Sequence, residues 1–144
     1  MGATGAVRRL FLDSSVLLYA FGGASPQRDA CLKVLDAASQ RQAQLHLSVE
    51  AGQEFLFHRL RRDSRPAALA AFDTLTELVD WHPFDLGVLL RARRLIDTTQ
   101  VRGRDAIHAA TALRAGFDAI VTTDRDFEGI PGLRRIDPSA LDPT

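Results

Sequence analysis

The sequence predicts an α/β domain in which a mostly parallel central sheet lies between two layers of helices. Short apolar runs alternate with longer amphipathic segments, and turn or helix-cap residues separate them. Such alternation favours parallel strands joined by right-handed helical crossovers, which produces a three-layer α/β/α arrangement. The chain has 144 residues, of which 46% are hydrophobic, and this is enough to bury the core of one domain.

The first half of the chain carries signals for two strands and three helices. An apolar run from residue 7 ends at Asp13, and the helical segment after it stops at Gly22 and Gly23. Ser25 followed by Pro26 is typical of a helix cap with proline at the first helical position. The predicted elements are a strand at 7–12, a helix at 14–21, a helix at 26–40, a strand at 45–49 and a helix at 50–62.

The second half continues the alternation. Ser64, with Pro66 two residues later, predicts a helix start, Asp85 is placed to cap the next helix, and Gly116 closes a third. The predicted elements are helices at 64–78, 85–98 and 106–115 and strands at 79–81, 119–122 and 133–136. Residues 137–144 contain two prolines and predict a loose tail, so we expect the domain to span 1–137 and the tail 138–144.

Composition narrows the class of protein. The formal net charge is zero, which argues against a generally basic coat for nucleic acid. Lys33 is the only lysine, so nearly all positive charge is arginine. Cys31 is the only cysteine, which excludes a disulfide within these residues and a cysteine-based zinc site. No apolar run approaches about 20 residues, so we expect a cytoplasmic protein outside the membrane.

Four acidic residues stand where an apolar run meets a turn or a helix start: Asp13, Glu54, Asp105 and Asp124. The carboxyl ends of parallel strands meet at one edge of a sheet, so acids far apart in sequence can converge there. Hard carboxylate oxygens are typical ligands of Mg²⁺. Each acid taken singly also fits a helix cap or a turn. Glu50, one helical turn before Glu54, competes for the second acidic position, and we favour Glu54.

Four segments in order carry a family resemblance: residues 11–20 (FLDSSVLLYA), 53–55 (QEF), 105–112 (DAIHAATA) and 121–127 (VTTDRDF). Together they resemble PIN-domain nucleases of the VapC toxin type, and the similarity runs from about residue 9 to residue 136. The resemblance implies a PIN-like fold. It also implies an endoribonuclease that serves as the toxin of a type II, VapBC-type toxin–antitoxin system, with a cognate antitoxin and a homodimeric state.

The resemblance also assigns residues to roles. The metal-binding and catalytic set it implies, for Mg²⁺ or Mn²⁺, is Asp13, Glu54, Asp105 and Asp124, with Asp126 as a candidate fifth acid. Ser15 and Thr122 match supporting positions. Asparagine often stands where this chain has Ser15, a change expected to weaken a neighbouring hydrogen bond without removing a ligand. A metal-activated water would then cut RNA to leave a 5′-phosphate and a 3′-hydroxyl.

Three further groups have two interpretations each. Arg102 and Arg104 flank the third acid and are candidates to hold substrate phosphates, or they are solvated helix surface. A second basic run, between residues 59 and 65, fits solvated surface better. His108 lies three residues after Asp105, where it could orient a neighbour or carry a proton, but a packed or solvent-facing ring is the favoured interpretation.

Two other functions are alternatives to the nuclease. A phosphotransfer domain built on Asp13 would need a second aspartate where Ser15 stands, or a lysine late in the chain, and neither is present. A catalytically silent PIN-like module that binds RNA or protein is the other rival. The intact set of four acids argues against it.

Overall fold

Five short parallel strands form the centre of the computed structural model, which describes residues 7–141. The strands are β1 (Arg8–Phe11), β2 (Ala43–Ser48), β3 (Val79–His82), β4 (Ala119–Val121) and β5 (Arg134–Ile136). β1, β2 and β3 pair in that order, β4 pairs with β5, and a parallel bridge between Leu12 and Val121 joins the two groups. The order across the molecule is therefore β3-β2-β1-β4-β5, and the predicted parallel sheet is confirmed.

Six α-helices in the described range cover the two faces of this sheet. They are α1 (Ser14–Ala20), α2 (Arg28–Ser39), α3 (Val49–Arg62), α4 (Arg65–Leu78), α5 (Leu86–Thr98) and α6 (Arg104–Arg114). Buried residues of α1 to α4 form one core, and those of α5 and α6 form the other. Successive strand residues such as Phe11 and Leu12 enter opposite cores because side chains alternate along a strand. The fold is the expected three-layer α/β/α arrangement.

Side-chain caps begin four of these helices, and in three of them the cap has the same spacing. Ser48, Ser64 and Asp85 each accept a hydrogen bond from the backbone N–H three residues later, at 2.9–3.2 Å. The predicted cap at Ser25 is wrong. The backbone N–H of Arg28 donates to the Ser25 carbonyl, so a turn precedes α2, and the helix begins after Gln27, which provides no side-chain cap.

The predicted loose tail is also wrong for residues 138–141. Asp137 caps a short 3-10 turn (Pro138–Ala140), Pro138 is buried, and Leu141 packs against the core that contains α2. The apolar Pro138 and Leu141 side chains find this surface only in the folded chain, which explains why composition alone suggested a tail. Residues 142–144 of the expected tail lie outside the described range.

Backbone hydrogen bonds place the ends of the central strands side by side. The N–H of Leu12 donates to the His46 carbonyl, and the N–H of Asp13 donates to the Val121 carbonyl, both at 2.9 Å. Asp13 therefore lies between β2 and β4 at the carboxyl edge of the sheet. Within residues 7–141, every helix falls short of the length and apolar character that crossing a bilayer requires.

Candidate metal centre

Asp13 is held almost entirely inside the protein. Its carboxylate is 3% exposed, and Oδ2 accepts hydrogen bonds from Thr122 Oγ1 at 2.8 Å and from the Ser15 backbone N–H at 3.3 Å. The other oxygen, Oδ1, is buried and lacks a hydrogen-bond donor among the described residues. A buried carboxylate oxygen without a donor is costly, and a bound cation would satisfy it.

Ser15 and Thr122 tie the start of α1 to the segment after β4. Their hydroxyl oxygens lie 3.3 Å apart. Ser15 Oγ accepts the Thr123 backbone N–H at 3.2 Å, and Thr122 Oγ1 accepts that of Asp124 at 3.0 Å. Both predicted supporting residues are therefore at the site, and Ser15 forms polar contacts there despite its short side chain.

Asp105, Asp124 and Asp126 bring carboxylate oxygens together on the solvent side of Asp13. One oxygen of each lies within 4.8 Å of the others, and the three side chains range from half-buried to exposed. Asp124 also accepts the Asp126 backbone N–H at 2.8 Å, which fixes the turn after β4. Three such oxygens at this spacing fit a hard divalent cation.

Crowding of negative charge shows most clearly at Asp105. Burial, together with the nearby charges of Asp13, Asp124 and Glu54, raises the pKa of Asp105 from 3.8 to about 7, although His108 acts in the opposite direction. Without a cation, this carboxyl therefore holds its proton up to near-neutral pH. Repulsion among clustered carboxylates accounts for a shift in this direction.

Glu54 reaches the site from α3, with both oxygens engaged. Oε2 accepts from Ser14 Oγ at 3.2 Å, and Oε1 accepts from His108 Nε2 at 2.6 Å. Burial would raise the pKa of Glu54, but the hydrogen bond and charge of His108 outweigh it and lower the pKa. Glu50, the rival candidate, is half-buried and makes no side-chain hydrogen bond within residues 7–141.

His108, for which the sequence favoured a packed or solvent-facing ring, is a component of the site. Its ring is fully buried; Nδ1 lies 2.8 Å from Ser48 Oγ, and Nε2 lies 3.9 Å from Asp13 Oδ1. Burial would lower its pKa, but the hydrogen bond to Glu54 and the charge of Asp13 raise it overall. The ring is packed, as favoured, but it also contacts the acids. Its spacing of three residues from Asp105 on one helix was the available signal.

The candidate arginines differ in their surroundings. Arg102 and Arg104 are both exposed, and the charge of Arg104 is close enough to lower the pKa of Glu54. Arg59, from the second basic run, donates instead to the Phe21 carbonyl at 2.9 Å and pairs with Asp63. Arg104 therefore lies near the acids, whereas Arg59 has a structural role.

Known proteins share this sequence pattern and this fold. The PIN domain family model matches residues 10–133. The chain is 31% identical over 134 residues to ribonuclease VapC7 of Mycobacterium tuberculosis, covering 91% of this chain and 92% of that protein. It is 32% identical over 119 residues to ribonuclease VapC23 of the same organism, covering 80% and 92%.

Solved structures agree on the fold. DNA-bound VapBC from Salmonella typhimurium superimposes with a TM-score of 0.71 at 17% identity, covering 92% of this chain and 98% of that one. The Mycobacterium tuberculosis toxin VapC20, described as cleaving the sarcin-ricin loop, gives 0.68 at 18% identity, covering 87% and 98%. With its family model matched over most of its length, this chain belongs to the PIN domain family.

Proposed function

We propose that this protein is a metal-dependent endoribonuclease and the toxin of a type II, VapBC-type toxin–antitoxin system, acting in the cytoplasm. The observation that carries the proposal is that Asp105, Asp124 and Asp126 bring carboxylate oxygens within 4.8 Å of one another, while the charges of Asp13 and Glu54 act on Asp105 and help to raise its pKa to about 7. Among residues 7–141, one buried oxygen of Asp13 lacks a hydrogen-bond donor. Its relatives VapC7 and VapC23, which cover most of its length, are named as ribonucleases.

The acids would hold Mg²⁺ or Mn²⁺, with Asp126 beside them. A bound cation supplies an acidified water and neutralises charge that develops at the phosphorus. The protein's own part is to orient the ligands: Thr122 and Ser15 fix Asp13, and the turn after β4 fixes Asp124. Because water attacks and the ribose 2′-hydroxyl does not, the expected products carry a 5′-phosphate and a 3′-hydroxyl.

RNA would be held by the exposed arginines at the mouth of the site. Arg104 opens α6 directly before Asp105, and Arg102 lies two residues earlier. Guanidinium groups bind phosphate oxygens through paired hydrogen bonds. This position would bring a phosphodiester next to the acids.

A cognate antitoxin would cover an apolar groove between α3, α4 and β3. The groove is lined by Val49, Gly52, Gln53, Leu56, Phe72 and Trp81. Glu54 is on the same helix but points away from this face, so a bound segment would pass around α3 to reach the acids. Several solved relatives of this fold are described as VapBC or toxin–antitoxin complexes, which supports an antitoxin as the partner.

A homodimer would use the exposed side of α5. Leu86, Leu89, Leu90 and Ile96 are between 47% and 67% exposed in the isolated chain. They spread along one helix whose opposite side, with Val88, Ala92 and Leu95, is buried against α6. Several exposed large apolar side chains on one helix are typical of a subunit interface.

The test is cleavage of an end-labelled structured RNA by the purified protein with Mg²⁺, with Mn²⁺ and with EDTA. Asp13→Asn is the site variant, and Asp36→Asn, an exposed acid on α2, is the matched control. We expect metal-dependent cuts bearing 5′-phosphates that are lost in the site variant and kept in the control. If no RNA is cut and calorimetry detects no metal binding, the catalytically silent module replaces the nuclease.

A further inference from the structure

We propose that His108 is a positioning residue whose Nε2–H fixes the metal-facing carboxylate of Glu54. The inference deepens the proposed function and rests on it. His108 is fully buried, and the 2.6 Å contact from its Nε2 to Glu54 Oε1 joins α6 to α3 across 54 residues of sequence. The partner of the buried ring nitrogen is one of the acids of the site, so the contact that satisfies the ring also holds Glu54.

The hydrogen-bond network places a proton on Nε2. Ser48 Oγ accepts the backbone N–H of Ala51 as the cap of α3, and it lies 2.8 Å from His108 Nδ1. In the neutral ring, the Glu54 carboxylate can only accept, so the ring hydrogen lies on Nε2 and Nδ1 accepts from the Ser48 hydroxyl. In the charged ring, Nε2 also carries a hydrogen. Glu54 therefore meets a donor in either protonation state.

Glu54 is anchored at both oxygens by donors on the protein side. His108 holds Oε1 and Ser14 holds Oε2, so the side chain is restricted to one orientation. A free glutamate has three side-chain torsions, and ordering them on metal binding would weaken the affinity. The anchors supply that order in advance, while the remaining lone pairs stay available toward the acids.

The hydrogen-bond network around His108 connects the elements that carry two of the proposed metal ligands, Asp105 and Glu54. α6 carries Asp105 one turn before His108, so the same helix provides one metal ligand and orients another on α3. Ser48 ends β2 and caps α3, which ties the ring to the element that carries Glu54. Removing a group that hydrogen-bonds to a metal ligand typically lowers metal affinity or activity by about 10–100-fold.

The test is a double-mutant cycle on metal affinity. Mn²⁺ binding is measured by calorimetry in the wild type, in His108→Leu, in Glu54→Gln and in the double variant. We expect His108→Leu to weaken binding about 10–100-fold, and to add little once Glu54 is already replaced, because His108 acts through it. Equal losses in both backgrounds would show a merely structural role and overturn the proposal.

Two further variants separate positioning from packing. His108→Gln keeps an N–H donor near the Nε2 position and should retain affinity within a few-fold of the wild type. Thr111→Val is the matched control, because Thr111 is a buried polar residue on the same helix whose hydroxyl donates to the Ile107 carbonyl, away from the acids. It should leave Mn²⁺ affinity unchanged. Loss of affinity in the control, or no rescue by glutamine, would contradict the inference.

A spectroscopic measurement tests the proton position without metal or activity. Imidazole nitrogen NMR of the metal-free protein should show His108 Nε2 protonated, with its proton signal shifted in Glu54→Gln. A ring protonated only on Nδ1 would overturn the proposal. If the wild type neither binds Mn²⁺ nor cuts RNA, the proposed function fails; if His108→Leu binds and cuts like the wild type, only this inference fails.

Discussion

At the scale of single residues, the acids of the site are not equivalent. Asp13 is locked by Thr122 and Ser15, and Glu54 is anchored by His108 and Ser14. Asp105 instead remains half-buried among like charges, and its raised pKa records the resulting repulsion. Clustered carboxylates of this kind repel one another, and a bound cation would relieve the repulsion.

The pKa of Asp105, measured by titration of the metal-free protein, should show this electrostatic repulsion. The unfolded carboxyl loses its proton near 3.8, whereas the folded one holds it to about 7. The folded state thus binds more protons between these values, so the free energy of unfolding contributed by this group falls as pH rises through that window. Carbon-detected NMR titration checks the pKa, and denaturation at several pH values checks the stability.

Asp105→Asn serves as the comparison for that titration. It removes the like charge, so the metal-free variant should lose this part of the pH dependence, while its Mg²⁺ affinity falls. Adding Mg²⁺ to the wild type should lower the pKa of Asp105, because the cation favours the charged form. An ordinary pKa near 3.8 in the metal-free wild type would show that the acids do not cluster in solution.

Arg104 permits a second prediction at the residue scale. Arg104→Ala should raise the KM for RNA about tenfold, the cost of losing a charge-assisted hydrogen bond. The slope of log affinity against log salt should fall by about 0.7 for a single-stranded substrate. Arg65→Ala, an exposed arginine of the second basic run, is the matched control and should change neither. Equal effects of both variants would indicate unspecific attraction.

At the scale of secondary-structure elements, the start of α6 determines where Arg104 and Asp105 lie. Gly103 precedes it with φ +60° and ψ −137°, a conformation that side-chain-bearing residues rarely adopt. The chain reverses there and presents Arg104 and Asp105 at the first turn of the helix. A Cβ at Gly103 would meet no atom within 4 Å, so the demand for glycine comes from the backbone alone.

Gly103→Ala should therefore lower the free energy of unfolding by about 1–3 kcal/mol and weaken metal binding, because relief of the strain displaces Asp105. Gly23→Ala is the matched control. Gly23 is also exposed with open space around it, but its φ lies outside the positive range, so the variant should be neutral. Thermal denaturation and Mn²⁺ calorimetry measure both effects, and unchanged values for Gly103→Ala would refute the strain argument.

At the scale of the whole molecule, charge and apolar surface are separated. The acids occupy the carboxyl edge of the sheet, the apolar groove lies between α3, α4 and β3, and the exposed leucines lie along α5. In the proposed function, RNA would bind at the acids, the antitoxin would extend from the groove to the acids, and a second subunit would cover α5. The arrangement fits a nuclease whose activity is controlled by a bound partner.

The α5 surface should support the homodimer. Leu90→Glu places a carboxylate in that interface. Burying this charge on dimerisation would cost free energy, so the variant should favour the monomer. Sedimentation velocity should show a dimer for the wild type and a monomer for the variant. Leu69→Glu is the matched control, because Leu69 on α4 is similarly exposed, and it should remain dimeric. A monomeric wild type, or a dimeric Leu90→Glu variant, would place the interface elsewhere or remove it.

The sequence by itself determined the α/β class, the element order and the family, because apolar periodicity, helix caps and motif order are local signals. Tertiary structure alone decided which groups touch. The turn at Ser25 is a local departure from the predicted helix cap, whereas the packing of Pro138 and the contact of His108 with Glu54 depend on chain segments that are distant in the sequence. Such contacts leave no periodic trace in the sequence, because they arise only when the folded core brings those segments together.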